Sequence, residues 1–153
     1  MVISNQDSRN KTKMATKLVR LYPAPGTQVG RGVVLAWADD RERTRLTGVL
    51  ERHRFEVCPL RSGERAIELI ESRGWPIAVL DSDLPDVSGL QVAQLLHYLW
   101  YLAGETANVN LIVASSPANY SKRECYAAGA TNWLRKPLQA DRLISVLEYH
   151  LVI

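Results

Sequence analysis

The sequence predicts an α/β fold in which one parallel β-sheet is covered by helices on both faces. Along residues 33–153, short apolar runs alternate with longer segments of helical periodicity. The first run, at residues 33–37, is apolar throughout, as is typical of strands buried on both faces. Parallel neighbours need a crossover helix between them, so a regular strand–helix alternation favours a parallel sheet.

Five strands and five helices follow from this alternation. Each strand is a short apolar run between turn residues, and the predicted strands span 33–37, 55–60, 76–80, 111–114 and 132–135. Each helix has apolar residues three or four positions apart, and the predicted helices span 40–53, 63–73, 89–104, 120–128 and 139–152. We expect Ser62 to cap the second helix and Gly129 to end the fourth.

The bulk composition is that of one globular domain outside the membrane. The chain has 153 residues, of which 46% are apolar, and this is enough to fill a core. It has neither an apolar run long enough to span a bilayer nor the pattern of a secretory signal, so we expect a cytoplasmic protein without a membrane partner. Cys58 and Cys125 lack metal-like spacing, and we expect reduced thiols.

The positive charge of the chain is concentrated at its start. Residues 1–32 contain six basic residues and a single acidic one, Asp7, whereas the whole chain carries only +3. A segment rich in proline and glycine, 21–32, joins this start to the regular pattern. We therefore predict a basic, flexible extension over 1–32 and one domain over 33–153. Contact between this extension and nucleic acid is the less favoured interpretation, because aromatic residues are not interleaved with the charges.

Polar side chains follow four of the predicted strands. The carboxyl ends of parallel strands share one edge of a sheet, which is where ligands usually bind. Neighbouring carboxylates repel each other unless a cation lies between them, and oxygen ligands suit Mg²⁺. A lysine and a hydroxyl nearby would complete a pocket for a transferring phosphoryl group. The residues expected at this edge are Asp39, Asp40, Asp81, Ser115, Ser116 and Lys136.

Three motifs resemble the receiver domain of bacterial two-component response regulators. They are "VLDSDLPDVSGL", "LIVASS" and "AAGATNWLRKPL", and the resemblance extends from Val33 to the end of the chain. It implies a flavodoxin-like, doubly wound (βα)₅ fold with strand order 2-1-3-4-5.

The resemblance also implies roles for individual residues. Asp81 would be the phosphoacceptor and a ligand of Mg²⁺, and Asp83 would offer its backbone carbonyl to the same ion. Lys136 would pair with the carboxylate and then with its phosphoryl oxygen. Pro137 would follow a cis peptide bond.

The switch residues are implied in the same way. Ser115 takes the place of the switch hydroxyl, although the usual spacing back from Lys136 would instead select Ala114. Trp133 takes the place of the switch aromatic residue, and a packed core aromatic is the alternative interpretation.

The acidic pair of the family is where this sequence departs from the pattern. The alignment puts Trp37 and Ala38 where two acids are expected, and Asp39 and Asp40 come two residues later. Asp39 and Asp40 stay candidate metal ligands. Asp39 is equally a candidate helix N-cap, because Glu42 follows at the spacing of a capping box.

Two functions stay open. The first is a phosphorylation-dependent receiver, not an enzyme, that accepts a phosphoryl group on Asp81 from a histidine kinase or phosphotransfer protein. It would signal to a protein partner or a second copy through the fourth helix, fifth strand and fifth helix (the α4-β5-α5 surface). The second is a pseudo-receiver that binds proteins without phosphorylation. A flavodoxin-like redox enzyme is disfavoured, because "ADDRERT" is charged where a phosphate-binding loop would be needed.

Overall fold

The computed structural model describes residues 30–72, 74–105 and 109–151. The predicted extension therefore lies almost wholly outside the described residues. Strands and helices alternate as β1 (Gly32–Ala36), α1 (Asp40–Arg52), β2 (Glu56–Leu60), α2 (Gly63–Ser72), β3 (Ile77–Asp81), α3 (Gly89–Ala103), β4 (Asn110–Ser115), α4 (Lys122–Ala127), β5 (Asn132–Arg135) and α5 (Ala140–Leu151). Each predicted element is present, with ends shifted by one or two residues.

The five strands form one parallel sheet in the order β2-β1-β3-β4-β5, which confirms the predicted topology. β1 and β3 lie in the interior of the sheet and are buried along their whole length. Pro59 falls in β2, an edge strand, where the missing N–H breaks no ladder. Within the described residues, none of the helices combines the length and hydropathy needed to cross a bilayer.

Two apolar cores sandwich the sheet, one on each face. The core on one face includes side chains from α2, α3 and α4, and the other includes Leu46 and Leu50 of α1 with Leu143 and Leu147 of α5. Cys58 and Cys125 are both buried and no disulfide joins them. This layering leaves the carboxyl ends of the strands accessible at one edge of the sheet.

The helix ends follow local capping rules. Ser88 and Ser121 begin α3 and α4 with capping boxes, in which each hydroxyl accepts a hydrogen bond from the amide three residues on. Gly129 follows α4 with φ of 107°, a left-handed conformation that favours glycine. The predicted end of α4 is therefore correct to within one residue.

Candidate active-site edge

Asp81 ends β3 at the carboxyl edge of the sheet, and only 1% of its surface is exposed. Three donors surround its carboxylate. Oδ2 accepts a hydrogen bond from the amide of Ala38 at 2.9 Å, and Oδ1 accepts from the amide of Asp83 at 2.9 Å. Lys136 Nζ also donates to Oδ1, at 2.7 Å. A buried charge is tolerated when it is paired and hydrogen-bonded, and this one is both.

Lys136 lies between two carboxylates. Its Nζ is 2.7 Å from Asp81 and 2.9 Å from Asp83, and it sits 5.0 Å from the centre of the Trp37 ring. Burial would lower the pKa of the lysine, but the hydrogen bonds and charges of the two carboxylates outweigh it and raise the pKa. The Lys136–Pro137 peptide bond is cis, as the resemblance implied. The ammonium therefore stays charged and fixed at this edge.

The side chain of Asp83 takes part in this network. Its Oδ2 accepts from Lys136 and its Oδ1 accepts from Asn119 Nδ2 at 3.2 Å. The family resemblance implied a role only for its backbone carbonyl. The metal-binding role of that carbonyl stays a prediction, whereas the carboxylate connects β3 to the loop after β4.

Trp37 and Ala38 follow β1 directly, at the place where the family pattern has acids. Trp37 is fully buried, its amide donates to Leu60 O at 2.9 Å, and its ring nitrogen has no hydrogen-bond partner. Ala38 contributes its amide to Asp81. At the end of β1, a backbone amide thus contacts Asp81 and a buried indole contacts Lys136.

Asp39 and Asp40 belong to helix α1. Asp39 is its N-cap and accepts from the amide of Glu42 at 2.8 Å, which confirms the capping interpretation. Asp40 forms an ion pair with Arg43 at 2.7 Å, and the hydrogen bond and charge of that guanidinium lower its pKa. Within the three described ranges, no group of three or more His, Cys, Asp or Glu side chains is arranged to hold a metal ion. Both carboxylates are thus engaged at the start of α1, and their role as metal ligands stays a prediction.

Ser115 and Trp133 form a contact of their own next to this edge. Ser115 ends β4 and is fully buried, and its Oγ donates to Tyr120 O at 2.8 Å. The same oxygen accepts from Trp133 Nε1 at 2.7 Å. The hydroxyl is thus engaged by the loop before α4 and by β5. The register pairs Asp81 with Ala114, one residue before Ser115.

Asp86 has a structural role that the sequence did not reveal. Its carboxylate accepts from the amides of Gly63 and Glu64 and from the hydroxyl of Ser62, at 2.8, 3.1 and 2.7 Å. Burial would raise the pKa of Asp86, but these hydrogen bonds outweigh it and hold the pKa well below its usual range. The contact joins residues 23 positions apart, so no local spacing could have indicated it.

The model of the response regulator receiver domain family matches residues 35–148, about three quarters of the chain. The chain belongs to the receiver-domain family. This receiver is 26% identical over 117 residues to the signal transduction histidine-protein kinase BarA of Escherichia coli (strain K12), in a match that covers 74% of this chain. It spans only 12% of the length of BarA.

Solved receivers share the fold of this one. The receiver domain of Saccharomyces cerevisiae Ssk1, crystallised with the histidine phosphotransfer protein Ypd1, gives a TM-score of 0.72 at 18% identity, over 85% of this chain and 90% of that one. The receiver domain of sensor histidine kinase PA1611 from Pseudomonas aeruginosa PAO1 gives 0.65 at 19% identity, over 80% and 98% of the two chains. That structure is described with a magnesium ion coordinated in its active site cleft.

Proposed function

We propose that this receiver acts as a pseudo-receiver, a two-component signalling module that works by binding proteins and does not depend on a phosphoryl group at Asp81. The observation that carries the proposal is the composition of the end of β1. Trp37 contacts Lys136 and Ala38 contacts Asp81, whereas the two acids that follow them, Asp39 and Asp40, cap α1 and pair with Arg43.

The residues at this edge do not fit a magnesium ion in the manner of the family. Mg²⁺ needs oxygen ligands at nearly ideal octahedral positions. The oxygens of Asp81 and Asp83 instead accept hydrogen bonds from amides, from Asn119 and from Lys136. Without a metal, less positive charge faces the oxygens of a phosphoryl group in the transition state, and transfer is slow.

In this proposal the Asp81–Lys136 pair stabilises the α4-β5-α5 surface. The Asp81 carboxylate joins the ends of three strands, because its partners follow β1 (Ala38) and β5 (Lys136) while Asp81 itself ends β3. The Ser115–Trp133 hydrogen bond joins β4 to β5 in the same region. Together these contacts support the α4-β5-α5 surface, through which we expect a partner protein to bind.

Phosphorylation on Asp81 is the second candidate function. The observation in its favour is that Asp81 and Lys136 meet at the expected edge, with Ser115 and Trp133 close by. In that case a histidine kinase or phosphotransfer protein would donate the phosphoryl group with Mg²⁺, and the new charge would draw Ser115 and Lys136 toward Asp81. The α4-β5-α5 surface would then be the switched surface.

Intact mass after incubation with acetyl phosphate and Mg²⁺ distinguishes the two candidates. We expect no adduct on the wild-type protein. Ala38→Asp restores one carboxylate beside Asp81, and we expect it to gain an EDTA-sensitive adduct. Ala38→Asn is the matched control, because it has nearly the same shape without the charge, and it should gain none.

A wild-type adduct that disappears in Asp81→Asn would refute the pseudo-receiver proposal and support the second candidate. If Asp81→Asn keeps the adduct, the modification lies elsewhere and the pseudo-receiver proposal stands. An adduct on Ala38→Asn equal to that on Ala38→Asp would contradict the explanation from charge.

A further inference from the structure

Helix α3 lacks the charged side chains that are usual on a surface helix. No Asp, Glu, Lys or Arg occurs in its fifteen residues, "GLQVAQLLHYLWYLA". Leu90, Val92, Ala93 and Leu96 are buried and face the sheet. The solvent side of α3 instead carries two glutamines and a histidine together with leucines and tyrosines. α3 is covered on one side only.

The exposed side of α3 carries most of the large apolar groups that the described residues present to solvent. Leu95, Tyr98, Tyr101 and Leu102 are 42%, 59%, 80% and 62% exposed, and only Tyr126 and Tyr149 are comparable elsewhere in the described ranges. Leu95, Tyr98 and Tyr101 follow each other at intervals of three positions, and Leu102 lies four positions after Tyr98. The four therefore form one continuous stripe, the α3 outer face. Single exposed apolar residues are common on proteins, but a contiguous apolar patch marks a binding surface.

We propose that the α3 outer face binds a second copy of this chain in a two-fold dimer. In such a dimer the same surface meets itself, so any charge on it would face a like charge. The α3 outer face has no charged residue and can meet its own copy without that repulsion. Its leucines and tyrosines also match the composition of interface cores, where aromatic residues are enriched and charged residues are depleted.

The exposed area of the stripe lies near the lower limit of specific interfaces, as suits a weak dimer. Taking ~200 Å² for a fully exposed tyrosine, the two tyrosines alone expose roughly 280 Å². With the two leucines the stripe reaches about 450 Å² per copy, or about 900 Å² in a dimer, and specific interfaces begin at about 1,000 Å². Gln91 and Gln94, both exposed at the start of α3, extend the surface toward that size.

The helices beside α3 indicate how the two copies are oriented. α3 packs between α2 and the end of α4, where the His97 ring touches Gly129. Acidic residues outnumber basic ones on α2, and basic residues outnumber acidic ones on α4. A two-fold axis parallel to α3 brings α2 of each copy opposite α4 of the other, so that opposite charges face each other. A perpendicular axis would bring like charges together, and we therefore infer a parallel arrangement of the two α3 helices.

Sedimentation equilibrium of the full chain tests this dimer. We expect a monomer–dimer equilibrium with a Kd of about 1–100 μM, as suits an interface of this size. Leu102→Arg places two like charges in the interface and should weaken the dimer at least 100-fold. The matched control is Tyr149→Arg, which changes a comparably exposed aromatic residue (76%) on α5, in the opposite layer, and should leave the Kd unchanged.

A second measurement reports the geometry of the dimer without a destabilising substitution. Nitroxide labels on Gln94→Cys, on α3, should give a short label-to-label distance, and labels on Asp141→Cys, on α5, a long one. The two native cysteines are buried and should not react with the label. A wild-type monomer up to about 1 mM, a dimer insensitive to Leu102→Arg, or short distances only between α5 labels would each overturn the proposal. The proposal does not rest on phosphorylation, and the outcome at Asp81 leaves it unchanged.

Discussion

Replacing Trp37 tests the position of β1 on which the functional proposal depends. Trp37 is fully buried and its ring lies under the ammonium of Lys136. Truncating a buried tryptophan to alanine costs about 3–5 kcal/mol of unfolding free energy. Loss of the contact between lysine and ring adds about 0.5–1 kcal/mol. We therefore expect Trp37→Ala to lower the free energy of unfolding by about 5 kcal/mol, and to lower Tm on the order of 10 °C.

Trp37→Phe should behave differently, because the indole nitrogen of Trp37 has no partner. A buried unsatisfied donor costs about 1–3 kcal/mol, and phenylalanine removes that cost while keeping most of the ring. The gain from removing the unsatisfied donor offsets the packing that is lost with the smaller ring. We therefore expect the free energy of unfolding of this variant to lie within about 1.5 kcal/mol of wild type.

Urea unfolding followed by far-ultraviolet circular dichroism measures both variants. Tyr149→Ala is the control, because an exposed substitution should change stability by less than about 0.5 kcal/mol. If Trp37→Ala costs less than about 1 kcal/mol, Trp37 is not a core residue. The strand could then slide to bring Asp39 and Asp40 toward Asp81, and the pseudo-receiver proposal would lose its basis.

Three further predictions concern the same edge and its supports. Lys136→Met removes the cation between the carboxylates of Asp81 and Asp83 and should lower the free energy of unfolding by about 2 kcal/mol. Adding Asp81→Asn should recover part of that loss in a double-mutant cycle. Asp86→Asn weakens the cap of α2 and should cost about 1 kcal/mol at pH 7. Folding lowers the pKa of Asp86, so the stabilisation by its carboxylate is complete above the unfolded pKa of about 3.9 and is lost as the pH falls toward the folded value. In urea titrations, the difference in free energy of unfolding between wild type and Asp86→Asn should therefore shrink below pH ~4. Gly89→Ala puts a methyl group 2.7 Å from the carbonyl oxygen of Asp81 and should destabilise by about 2 kcal/mol or more, whereas Gly48→Ala, in open space on α1, should stabilise by about 0.5–1 kcal/mol in thermal unfolding.

Local patterns were enough to predict the strands, the helices and the parallel sheet of this protein, whereas the strand order came from the family resemblance. Short runs that are apolar throughout are typical of strands covered on both faces, and periodic segments between them are typical of helices packed on those faces. The parallel sheet and the meeting of Asp81 with Lys136 follow from that alternation, since both residues lie just where buried strands end. The N-cap at Asp39 could also be predicted from the sequence, because an N-cap residue bonds an amide only two or three residues further along the chain.

The tertiary structure decided which groups surround Asp81. Whether Asp39 or Ala38 reaches that carboxylate depends on the register of β1 against β3, and a shift of one residue reverses the direction of every side chain. The cap that Asp86 supplies to α2, and the hydrogen bonds that hold Ser115 to Tyr120 and Trp133, join elements whose distance in space no local spacing encodes. The spacing of the apolar residues in α3 predicted a helix, but only the packed fold separates the residues that face the sheet from those that remain exposed at the surface.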